Sequence, residues 1–235
     1  MQRRKSGAYM SPGEQIGGTV FFAVYLLVLP FAAAPLFDLA ELLLGITLSS
    51  AMTLIYYYIL LAVTVIIFHG FLARTSRRLL DNLDGAAKTA LAGLVALYGL
   101  NELAYRLIHM AVDTRTNLND VTISTRIGGA PHMTLLIVVF LAPFVEETLF
   151  RGLVFGSLKD KSRAGAYLAS CLLFALLHVW QFAVTSRDLT YFLLMVQYLV
   201  PGLVLAWAYE HSGTLWTSVA LHAAANALSI WTMMG

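Results

Sequence analysis

Three ionisable side chains stand within six residues of an otherwise apolar run: Glu146, Glu147 and Arg151, in Phe144-Val145-Glu146-Glu147-Thr148-Leu149-Phe150-Arg151-Gly152. A charge at the centre of a bilayer helix costs roughly 2.5 to 3.5 kcal/mol, so such a cluster is a candidate for function. Further along come Phe174 and His178, four apart, then His222 and Asn226, also four apart. That spacing is one helical turn, so each pair shares a face. Together these groups have the makings of water activation: a carboxylate to take a proton, a histidine to position water or metal, an amide to donate to an oxyanion. In the metal version His178, His222 and Glu146 ligate Zn2+ and leave one position open, although the His-Glu-x-x-His spacing of soluble zinc proteases is absent. The residues alone leave both versions open, and they call for no organic cofactor.

Helical phase divides the cluster. At about 100° per residue Glu147 and Arg151 can pair, in the favoured order of acid before base, while Glu146 lies well round the helix from Arg151. Glu146 is thereby expected to be free to meet His178, His222 and Asn226, with Phe174 walling His178. The plain alternatives are a buried ion pair for Glu147 with Arg151 and a helix-to-helix amide bridge for Asn226.

The elements that position these groups are membrane helices. The chain is 59% hydrophobic and 12% charged, with mean hydropathy +0.76, which excludes an ordinary water-soluble domain. A net charge of +2 gives no reason to expect nucleic acid, whereas membrane lipid is an obligatory neighbour. The single cysteine, Cys171, rules out an intrachain disulfide and reads as a packing residue. Ser11-Pro12-Gly13-Glu14 has the form of a capping box.

Apolar runs predict spans at about 16–37, 51–72, 88–110, 132–156, 164–184, 190–209 and 213–233. A short interfacial piece stands before the second and a polar loop covers Val112 to Ala130. The fold class expected is all-α, a polytopic membrane bundle of about seven helices, or eight if the 42–72 run is split, in a single domain over 1–235. Alternation puts Arg3, Arg4, Lys5, Arg74, Arg77, Arg78, Lys88, Lys159, Lys161 and Arg163 on one side, against Arg115, Arg126 and Arg187 on the other. The N-terminus is then cytoplasmic and the C-terminus outside. Measured along each span, Glu146, His178, His222 and Asn226 lie roughly 13 to 21 Å deep, in one layer.

Glu146-Glu147-x-x-x-Arg151, Phe174-x-x-x-His178 and His222-x-x-x-Asn226, in this order, resemble the three motifs of the CAAX-protease and bacteriocin-processing family, the type II CAAX prenyl endopeptidases or Abi family. Phe150-Arg151-Gly152 and Ser212-Gly213-Thr214-Leu215-Trp216 agree with it. The resemblance covers about 131–232, while 1–130 carries no recognised motif. It implies an intramembrane protease with Glu146 as the activating carboxylate and His178 as its water-positioning partner. His222 and Asn226 complete the site or stabilise the oxyanion, and Glu147 and Arg151 orient it. Members are described both as metalloproteases and as glutamate-type enzymes. The implied substrate is a peptide or lipidated protein, and the implied setting a bacterial cytoplasmic membrane. Two other function classes compete: a non-catalytic bacteriocin-immunity or peptide-binding protein, and a transporter or proton relay, for which the expected inverted symmetry is missing.

Overall fold

The computed structural model describes residues 10–45, 49–111 and 118–234, all helices and short connections with no strand among them. We number the helices α1 (Pro12–Leu44), α2 (Ser49–Asp81), α3 (Leu83–Ala111), α4 (Leu118–Gly129), α5 (Pro131–Leu158), α6 (Arg163–Thr185), α7 (Leu189–Ser212) and α8 (Leu215–Met234). Arg3, Arg4, Lys5 and Arg115, which enter the charge asymmetry above, lie outside the described residues.

Six of these helices are long and apolar enough to cross a membrane. The expected seventh, α8, is a helix of 20 residues. Its run carries Thr217, Ser218, His222 and Asn226, and among the described residues it falls outside that apolar set. Boundaries also differ from expectation. α1 continues to Leu44, where Gly45 takes the left-handed φ of 65° that ends a helix. α2 replaces the interfacial piece and span with 33 helical residues that kink at Phe68, more than the roughly 20 needed to cross a 30 Å hydrocarbon core. The loop expected before α5 contains α4; residues 112–117 lie outside the described ones.

α1 starts as its sequence dictates. Ser11 Oγ accepts from the Glu14 amide and Glu14 Oε2 accepts from the Ser11 amide at 2.6 Å, a complete capping box. Glu14 does more, because α2 is kinked at Phe68 (φ −105°, ψ 17°). Beyond the kink the Phe71 amide donates to Glu14 Oε1, and Arg74 pairs with Glu14 Oε2 at 2.6 Å. The start of α1 is thereby clamped to the far end of α2.

That end gathers basic groups. The Lys159 ammonium is held below its ordinary pKa, first by burial and then by Arg78, against the opposing pull of Asp160 and Glu210. Arg163 pairs with Glu210 at 2.9 Å. Arg74, Arg78, Lys159 and Arg163 therefore sit at one end of the bundle, the grouping that alternation of spans gives.

The N-terminus of α8 is docked onto the same part of α2. Gly213 takes a left-handed φ of 72° to end α7. Thr75 Oγ1 then accepts from the Leu215 amide at 2.7 Å, Thr214 Oγ1 donates to the Thr75 carbonyl at 2.9 Å, and Trp216 Nε1 donates to Ser76 Oγ at 2.8 Å. A helix start buried away from water needs such partners for its amides. They fix the height of His222, two turns further on.

Candidate active site

α5 carries the charges, and its backbone is not uniform: Leu136–Leu141 and Thr148–Phe155 are π-helical turns flanking the α-helical Ala142–Glu147. Such wide turns insert a residue and re-aim the side chains around them. They also strand a carbonyl. The Ala142 amide bonds back to Ile137, and Pro143 has no N–H, so Val138 loses both donors that could reach its oxygen. Asn226 Nδ2 of α8 supplies the missing donor at 2.8 Å. The carboxamide thus bridges α8 to α5, the plain alternative weighed for it above.

Glu147 and Arg151 pair as their spacing requires, Oε1 to Nη1 at 2.9 Å, both fully buried. The guanidinium also donates to the Gly202 carbonyl at 3.2 Å and lies 4.4 Å from the centre of the Phe174 ring. α7 comes this close because Gly202 packs against Cys171, where a Cβ would meet the Cys171 Cα at 3.3 Å. Cys171 is free and buried, a packing residue.

One expectation is corrected. His222 was expected to meet Glu146, but its Nδ1 donates to Glu147 Oε1 at 2.9 Å. Helical phase within α5 cannot say which carboxylate a histidine on another helix will reach. Glu147 therefore orients a histidine as well as an arginine, the carboxylate-to-imidazole arrangement that fixes a tautomer and leaves Nε2 free.

Glu146 meets His178 alone of the two histidines. Its Oε2 lies 3.9 Å from His178 Nε2 and has no hydrogen-bond partner despite being buried. No Arg or Lys pairs with it among the described residues. His178 Nδ1 is 2.8 Å from the Phe174 carbonyl; a carbonyl only accepts, so Nδ1 carries the proton and Nε2 presents a lone pair. A separation of 3.9 Å is too long for a direct hydrogen bond and is the span that one water can bridge. Phe174 ties the halves together, with ring centroids 4.7 Å from His178 and 5.7 Å from His222.

Two aromatic residues complete the surroundings without having been singled out in the sequence. Tyr198 stacks on His178, centroids 4.4 Å apart and 22° between planes. Tyr25, on α1, is buried and stands near enough to Glu146 for the two side chains to interact. Both sit in apolar runs, where a lone tyrosine reads as packing.

The zinc alternative can be tested against these positions. Among the described residues no group of three His, Cys, Asp or Glu side chains stands close enough to hold an ion. The reason is the division just described, with His222 on Glu147 and His178 by Glu146. The donor set does not fit zinc as arranged.

Residues 128–228 match the sequence model of the family described as type II CAAX prenyl endopeptidase Rce1-like. No curated protein and no solved structure matches the chain.

Proposed function

We propose that this chain, which through residues 128–228 belongs to the Rce1-like type II CAAX prenyl endopeptidase family, is a bacterial intramembrane endopeptidase that hydrolyses membrane-associated or lipidated peptides by a glutamate-type mechanism. Water sits between Glu146 Oε2 and His178 Nε2. Glu146 takes its proton, the oxygen attacks the scissile carbonyl carbon, and the tetrahedral oxyanion collapses with cleavage of the C–N bond. The proton held by Glu146 passes to the leaving amine and restores the carboxylate. Asn226 keeps its second amide hydrogen for the oxyanion, and His222, held by Glu147, completes the wall opposite His178. The N-terminus is cytoplasmic and the site opens from that half of the bilayer.

The observation that carries this reading is the unpartnered Glu146 oxygen 3.9 Å from the lone pair of a tautomer-fixed histidine. A buried carboxylate without a cation is costly and has no structural use. Comparative peptidomics of membranes from cells carrying the wild type or Glu146→Gln tests it. The substrate is expected to accumulate intact with the variant, and identical peptide profiles refute proteolysis. A chelator is expected to leave the purified enzyme's rate unchanged, and loss of activity restored by zinc overturns the glutamate-type mechanism.

A further inference from the structure

The first 130 residues carry none of the family's motifs, yet α1 enters the site. Two contacts set α1 antiparallel to α5. A Cβ on Gly18 would lie 3.3 Å from Leu153 Cδ1, and Phe22 meets Phe150 edge to face with centroids 5.3 Å apart. One turn further along α1 and one turn back along α5, the same register brings Tyr25 opposite Glu146. Tyr25 also lies within the π-helical turn Val24–Val28 of α1. Phe21 packs beside it at a centroid distance of 6.2 Å, and Val145 and Leu149 belong to the same buried cluster.

We infer that Tyr25 is a positioning residue for the reaction, its hydroxyl donating to the Glu146 carboxylate and holding it in the rotamer that faces His178. The inference rests on the role of Glu146 proposed above. A phenol buried among hydrocarbon needs a polar partner, and Glu146 lacks any cation to hold it. With Tyr25 on one oxygen, the other is left to take a proton from water. The hydroxyl acts through Glu146 and touches neither substrate nor water, so its loss falls on the turnover step.

The test uses the full-length protein in lipid vesicles and a fluorogenic peptide ending in a farnesylated Cys-aliphatic-aliphatic-X motif. Wild type, Tyr25→Phe, Tyr56→Phe and Glu146→Gln are compared. Tyr56 is a neighbouring tyrosine of the same cluster that packs on Phe37 and Tyr57. Tyr25→Phe is expected to lower kcat about 10- to 100-fold, the scale of one hydrogen bond to a charged group, with KM within twofold and an unchanged melting temperature. Tyr56→Phe is expected to keep the wild-type rate. Wild-type kcat in Tyr25→Phe with an inactive Glu146→Gln overturns the role of Tyr25 and leaves the proposed function standing. A raised KM at unchanged kcat overturns it in favour of substrate contact. Full activity in Glu146→Gln overturns the reading on which both rest.

Discussion

α1 and α5 are both long apolar helices, and they meet the rest of the molecule in opposite ways. In the most apolar stretch of α1 only 11% of residues are buried, against 67% in that of α5. A helix surrounded by protein can hold charges that lipid would penalise, and α5 carries Glu146, Glu147 and Arg151 at full or near-full burial. α1 faces lipid along most of its length, so the residues it does bury mark contacts. Glu14, Gly18, Phe21 and Tyr25 are among them, and they are the residues that clamp α1 to α2 or align it with α5. Burial density locates the chemistry, and rarity of burial locates the supports.

Neutralising the two adjacent carboxylates should separate these roles most strongly. Glu146→Gln is expected to cut kcat/KM by about 10²- to 10⁴-fold, the range of a general base, with little loss of stability because the site loses a charge that nothing pairs. Glu147→Gln is expected to unfold the protein more readily, by about 3 to 5 kcal/mol, because Arg151 is left charged and buried. It should also slow turnover by releasing His222. Equal melting temperatures for the two variants, followed in detergent, would break the distinction between reagent and brace.

The clamp of α1 comes next. Glu14→Gln removes the charge from two charge-assisted hydrogen bonds, to the Phe71 amide and to Arg74. A loss of about 1.5 to 3 kcal/mol is expected, read from denaturation of the purified protein. A change below about 0.5 kcal/mol would mean that the kink at Phe68 holds without it.

The sequence makes plain the helical class, the pairing of Glu147 with Arg151, and the capping box of α1, because each follows from composition or from spacing within one helix. The partners of His222 and Asn226 depend on how α8 lies against α5, and that depends on Thr75 and on the π turns, neither of which has a local signature. Pro143 is in plain view, but its effect on Val138 appears only once the turn before it is known to be π-helical. Tyr25 was missed for a similar reason. Nothing near it in sequence is polar, and its partner lies 121 residues away. The boundaries erred where helices outran the bilayer, as in α2, since apolarity ends before the helix does.

The smallest expected effect isolates burial itself. Glu102 and Arg106 repeat the spacing and order of Glu147 and Arg151, and they too are paired, at 2.7 Å against 2.9 Å. The side chains of the first pair are 55% and 73% exposed, those of the second 0%. An exposed pair is screened and costs side-chain freedom to form, so Glu102→Gln should change stability by less than about 0.5 kcal/mol. Spacing, order and ion-pair distance nearly match at the two sites, although Arg151 stands in a π-helical turn and bonds through Nη1 while Arg106 bonds through Nε. The larger difference is whether water or protein surrounds the charge that remains. If Glu102→Gln proves as damaging as Glu147→Gln, the loss lies in the helical pair itself, and the buried arginine is no longer the reason that Glu147 matters.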